Sequence, residues 1–114
     1  MTVYYSTAVE RGWRQRAARI RAGMWILQSA DATFRLGPGA IKTVGRAPRA
    51  DFILDAALVS RLHCRLTASD EKLEVLDLRS TNGTYVNDKR IRRAHLSKGD
   101  RLRVGRVELT VSSD

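Results

Sequence analysis

From Met24 onward the chain is written in short apolar runs, most of which alternate with polar residues at period two. Trp25-Ile26-Leu27-Gln28 and Thr33-Phe34-Arg35-Leu36 flank Ser29-Ala30-Asp31, which reads as a turn. Gly37-Pro38-Gly39 breaks the pattern, and Ala40-Ile41-Lys42-Thr43-Val44 resumes it. Further strands are predicted at Phe52-Ile53-Leu54, Cys64-Arg65-Leu66-Thr67, residues 73–78, Thr84-Tyr85-Val86, residues 101–104 and residues 107–111. Turn formers punctuate them: Ser69-Asp70, Asn82-Gly83, Asn87-Asp88, Lys98-Gly99-Asp100 and Gly105. Many short strands at close spacing predict an all-β sandwich. The first 23 residues have another texture, rich in Arg and Ala. Val9, Trp13, Ala17 and Ile20 recur at roughly helical spacing, with Gly23 as a stop, whereas Gly12 opposes a helix. Residues 1–23 are therefore expected to be a basic N-terminal arm or helix, and residues 24–114 one domain.

Composition adds constraints to this picture. Hydrophobic residues make up 43% of the chain, enough for a core without covalent staples. Cys64 is the single cysteine, so no intrachain disulfide forms. Its place in an alternating run predicts a small core residue. No apolar run approaches the roughly 18 residues of a membrane span, and no signal peptide is visible. A reducing, cytoplasmic setting is expected. The net charge of +9 predicts attraction to anions, whether nucleic acid, an acidic membrane surface or a phosphorylated protein. Five arginines against Glu10 give residues 1–23 a charge of +4, which leaves +5 for the rest.

Three loops hold the candidate chemistry. Gly45-Arg46 follows a strand, Ser60-Arg61-Leu62-His63 precedes one, and Arg79-Ser80-Thr81-Asn82-Gly83 ends in a turn-forming pair. Brought to one end of a sandwich, they would gather guanidinium groups, hydroxyls and an amide around one point. Such a donor-rich, carboxylate-poor site suits a phosphate, with its charge near −2 and three acceptor oxygens. Arginine suits it better than lysine because its planar fork bonds two oxygens at once. Each element alone also has an ordinary structural role, as a solvated arginine, a turn hydroxyl or a core histidine. The order and spacing of all three are what carry the reading.

In that order and spacing, the chain resembles the forkhead-associated (FHA) family of phosphothreonine-binding domains. The resemblance runs from about Met24 to Val111 and includes Gly45-Arg46, Ser60-Arg61-Leu62-His63 and residues 78–87, with Lys98-Gly99-Asp100 and Val104-Gly105 as a closing hairpin. It implies a β-sandwich of about eleven strands that holds peptides in loops at one end. It further implies phosphate contacts from Arg46, Ser60 and Arg61, and a phosphate and methyl pocket at Thr81. Asn82 is then expected to bond the peptide backbone. Gly45, His63 and Gly83 take structural roles, the histidine bracing the Ser60 loop. Arg79 lies in the loop with which family members read the third residue after the phosphothreonine, and its charge predicts an acidic residue there. The implied partner is a phosphothreonine-containing protein, such as a Ser/Thr kinase or its substrate.

Other function classes are less well supported. The acids are scattered with no evident acid–base pair, His63 and His95 lack further ligands at metal spacing, and nucleotide-binding glycine fingerprints are absent. No enzyme activity, cofactor or metal is expected. Nucleic-acid binding is the competing reading. The net charge and the Arg-rich start favour it, while the lack of a known motif and of aromatics among the basic residues opposes it. A phosphate-independent scaffold is a third reading, opposed by the intact motif set. In the arm, Thr7 precedes Glu10 by three residues. A phosphorylated Thr7 is expected to dock on the chain's own pocket or a neighbour's, which would allow self-association.

Overall fold

The computed structural model describes residues 24–114, so the arm or helix expected over residues 1–23 lies outside the described residues. The eleven strands are β1 (Trp25–Gln28), β2 (Thr33–Leu36), β3 (Ile41–Gly45), β4 (Phe52–Ile53), β5 (Cys64–Ala68) and β6 (Leu73–Asp77), followed by β7 (Thr84–Val86), β8 (Lys89–Ile91), β9 (Arg93–Leu96), β10 (Arg101–Val104) and β11 (Val107–Ser113). They form a six-stranded sheet in the order β2-β1-β11-β10-β7-β8 and a five-stranded sheet in the order β4-β3-β5-β6-β9. Neighbouring strands are antiparallel except β3 and β4, which run parallel.

Alternation decides which side chains enter the core. Leu27, Leu36, Leu102, Val104, Leu109 and Val111 line the inner face of the six-stranded sheet, and Val44, Cys64, Leu66, Leu73 and Val75 face them from the other sheet. Phe34 and Phe52 stack across the sandwich with centroids 4.4 Å apart. Trp25 buries its ring while Nε1 donates to Ser69 O at 3.1 Å. Cys64 is fully buried, and burial pushes its thiol up to about 12, so it is a packing residue rather than a nucleophile.

Two strands escape the apolar pattern. β8 and β9, Lys89-Arg90-Ile91 and Arg93-Ala94-His95-Leu96, are edge strands rich in exposed basic residues, and of the two only β9 fully buries a side chain, Leu96. Charge on an edge strand opposes pairing with another chain. The turn signals also divide in function. Asn87 (φ 50°) and Asp88 (φ 70°) form the two-residue turn between β7 and β8, with Val86 paired to Lys89 across it. Asn82-Gly83 is not a hairpin turn but the end of the loop entering β7.

Leu66 is fully buried in the middle of the five-stranded sheet, paired with Lys42 and Val75. Leu66→Ala is expected to lower unfolding stability by about 2–5 kcal/mol, measured by chemical denaturation.

Candidate functional site

The site is built by three loops, at residues 46–51, 54–63 and 78–83. The first begins where β3 ends. A Cβ on Gly45 would lie 2.0 Å from Arg61 O, so only glycine lets the end of β3 meet the second loop. Two backbone bonds join them there: Arg46 N donates to Ser60 O and Ala47 N to Arg61 O, both at 3.0 Å. Asp51 closes the first loop by accepting from Thr43 N at 2.8 Å and Thr43 Oγ1 at 3.1 Å. The backbone N–H of Thr43, aided by its hydroxyl, holds the Asp51 carboxyl below the usual carboxylate range. The exposed Arg46 side chain is anchored at one atom, Nε, which donates to Val59 O at 3.0 Å. Both Nη groups remain for another acceptor.

The second loop is braced by His63, which has no solvent exposure. Ser60 N donates to His63 Nδ1 at 3.0 Å, so the ring proton sits on Nε2, which lies 2.9 Å from Gly83 O and donates to it. His63 N also donates to Val44 O at 2.8 Å, and His63 O accepts from Leu78 N at 2.9 Å. One residue thus touches β3 and both ends of the third loop. Ser60 Oγ accepts from Thr81 N at 3.1 Å, which leaves its own O–H to donate.

The third loop folds around a carboxylate. Asp77 Oδ1 accepts from Ser80 Oγ at 2.5 Å and Thr84 Oγ1 at 2.7 Å, and Oδ2 accepts from Ser80 N at 3.2 Å. Burial raises the Asp77 pKa, but the bonds from the Ser80 and Thr84 hydroxyls and from Ser80 N outweigh it and hold the carboxyl below its ordinary range. Ser80 Oγ in turn accepts from Gly83 N at 3.0 Å. Gly83 has φ +90°, and a Cβ there would meet Arg90 Nε at 2.9 Å. Asn82 Nδ2 reaches back to Leu58 O in the second loop at 3.0 Å, using one of two amide N–H groups. Arg79 is exposed at φ 58°, a left-handed conformation.

Hydrogen bonds therefore bring Arg46, Ser60, His63, Thr81, Asn82 and Gly83 together, with Gly45 at the contact point. Arg61 joins through its backbone and leaves its side chain exposed, and Arg79 stands on the outer bend of the third loop. Among the described residues, none of Arg46, Arg61 and Arg79 is paired with a carboxylate. Asp77 and Ser80 shape the third loop, a role that the motif pattern does not assign to them. The spacing Asp77-x-x-Ser80 is a local capping signal that identifies them. An open cleft of about 300 Å³ lies beside the second loop, but its rim carries Asp31 and Asp55, which repel phosphate. Among the described residues, no cluster of His, Cys, Asp and Glu gathers to hold a metal ion.

His63→Ala removes the partners of Ser60 N and Gly83 O, and is expected to cost at least about 2 kcal/mol of stability, read by thermal or denaturant unfolding. Asp77 supplies a pH test. Its depressed folded pKa means that its contribution is complete above the ordinary carboxylate range and is lost as pH falls through that range and below it. Asp77→Asn is expected to flatten the acid limb of the stability–pH profile, measured by unfolding midpoints from neutral to acid pH.

Comparison with known proteins follows the same loops. The FHA domain family model matches residues 42–105, just over half of the chain, from β3 to the β10–β11 turn. Over 99 residues, 87% of this chain, it is 35% identical to an ABC transporter ATP-binding/permease protein of Mycobacterium tuberculosis, and covers 11% of that relative. Over 67 residues, 59% of the chain, it is 42% identical to an oxoglutarate dehydrogenase inhibitor of Corynebacterium diphtheriae, and covers 47% of it. The chain thus spans less than half the length of these curated relatives. A solved FHA domain, from a structural and functional analysis of phosphothreonine-dependent FHA domain interactions, is 34% identical with a TM-score of 0.72, and the match covers 77% of this chain and 94% of that one. The eleven-stranded sandwich, the loop motifs and the family match agree, and the chain belongs to the FHA domain family.

Proposed function

We propose that this chain binds phosphothreonine segments of partner proteins in Ser/Thr kinase signalling, as a recognition module rather than a catalyst. The observation that carries the reading is the pairing of Ser60 with Arg46. Ser60 Oγ accepts from Thr81 N, which leaves its O–H to donate, and Arg46 is anchored at Nε with both Nη groups available. The two side chains offer oriented donors to a dianion that takes up to three strong bonds. Arg61 adds charge, and the Asn82 amide adds a donor and an acceptor for peptide backbone. Thr81 is proposed to line the pocket for the threonine methyl. That methyl contributes roughly 1 kcal/mol, so phosphothreonine is favoured over phosphoserine by a finite margin.

The likeness to an FHA domain studied for phosphothreonine-dependent interactions supports this reading. Arg79 is proposed to read an acidic third residue after the phosphothreonine. The partner is proposed to be a Ser/Thr kinase or one of its substrates, and the setting a reducing cytoplasm, in keeping with a buried free Cys64. Among the described residues, no helix is long and apolar enough to cross a membrane.

An oriented phosphothreonine peptide library followed by calorimetry tests the proposal. Wild type is expected to select phosphorylated peptides, with Asp or Glu enriched at the third following position. Arg46→Ala removes charge-assisted bonds of about 1.5–3 kcal/mol, a loss of at least tenfold in affinity. Equal binding of unphosphorylated peptide, or unchanged affinity in Arg46→Ala, would contradict it.

A further inference from the structure

The phosphothreonine loops use few of the basic residues, and the next cluster is at the β8–β9 corner. Lys89, Arg90, Arg92 and Arg93 are all exposed and fall within five consecutive residues. Arg93 stands 3.9 Å from Glu74. Among the described residues, Lys89, Arg90 and Arg92 have no carboxylate partner. The acids that could quench them are engaged elsewhere. Asp88 pairs with Arg101 at 3.2 Å, and the Asp77 carboxylate is taken by Ser80 and Thr84.

Position gives this corner its meaning. In the five-stranded sheet β6 lies between β5 and β9, and in the other sheet β7 lies between β10 and β8. The loop that joins β6 to β7 therefore has the Ser60 loop on one side and the β8–β9 corner on the other. The contacts on the first side are Thr81 N to Ser60 Oγ and Asn82 Nδ2 to Leu58 O. On the second side, Arg90 Nε lies 2.9 Å from where a Gly83 Cβ would be, and Asp77 N donates to Arg92 O at 2.8 Å. Arg90 and Arg92 therefore border the same loop that carries Asn82 and Arg79.

We propose that the β8–β9 corner extends the site into a surface for carboxylates, so that the chain prefers partners whose phosphothreonine is followed by an acidic tract. The inference rests on the phosphothreonine reading and adds Arg90 and Arg92 as specificity-determining residues. The corner lies on the far side of the Arg79 loop from Ser60, so we assign it to the residues that follow the position read by Arg79, tested as the fourth to sixth after the phosphothreonine. The contacts are solvent-exposed, so each is modest, and the preference is screened by salt. The competing account is that these cations only guard two sheet edges against pairing. In that case peptide affinity is indifferent to them.

The test uses two phosphothreonine peptides with a common core, one carrying Glu and the other Ala at those three later positions. Affinity is measured by calorimetry or polarisation at about 0.03 M and about 0.5 M salt. At low salt the Glu peptide is expected to bind wild type about three- to tenfold more tightly than the Ala peptide, with little difference at high salt. The Arg90→Ala, Arg92→Ala double variant loses that preference while binding the Ala peptide within about twofold of wild type. Arg90→Lys keeps the charge and the preference, and Arg92→Glu reduces or inverts it. Equal affinity of wild type for the two peptides, or a preference that survives the double variant, overturns the inference and leaves the phosphothreonine site standing. If neither peptide binds, or both bind without phosphate, the underlying reading has failed instead.

Discussion

The ring of His63 is withdrawn from solvent, with Nδ1 taking the N–H of Ser60 and Nε2 giving its proton to Gly83 O. A buried polar ring is tolerated only when both nitrogens are satisfied. Here the two groups that satisfy them belong to different loops, so burying the imidazole fixes the distance between Ser60 and the end of the 78–83 loop. The backbone of the same residue bonds Val44 and Leu78. The loops of a sandwich are usually its most variable parts. In this chain a fully buried residue sets their spacing.

That spacing has a chemical use. Backbone groups of the three loops are satisfied by one another: Arg46 N by Ser60 O, Ala47 N by Arg61 O, Thr81 N by Ser60 Oγ. The nearby carboxylate, Asp77, spends its acceptors on Ser80 and Thr84 and holds a loop in place without reaching Arg46 or Arg61. Among the donors the loops present, Arg46, Ser60 and Asn82 are each anchored by one hydrogen bond. Little side-chain order remains to be imposed when an anion arrives, which is the condition under which a small site binds with useful affinity.

Much of this was legible in the sequence because it rests on local rules. Short apolar runs, most of them alternating at period two, located nine of the strands, since their inward positions are mainly apolar side chains facing a shared core. β8 and β9 were not legible: β8 fully buries no side chain and β9 only Leu96, so their basic side chains mask the short core-facing pattern. The loop motifs gave the residues of the site, but not the bonds between them. That Gly45 is needed for contact with Arg61 O depends on the approach of two segments sixteen residues apart in the chain, and no local pattern encodes it. The neighbourhood of Gly83 and Arg90 is hidden for the same reason, because it arises only when β8 folds back beside β7. The spacing Asp77-x-x-Ser80 was present and unread.

The central claim is that an oriented phosphate site exists at the junction of the three loops. Amide chemical shifts of the isotope-labelled chain, followed during titration with a phosphothreonine peptide, test it most directly. The account predicts that the largest changes fall on Arg46, Ser60, Thr81 and Asn82 and are absent with the unphosphorylated peptide. Changes centred on the outer face of either sheet, or the same changes without the phosphate, would contradict it.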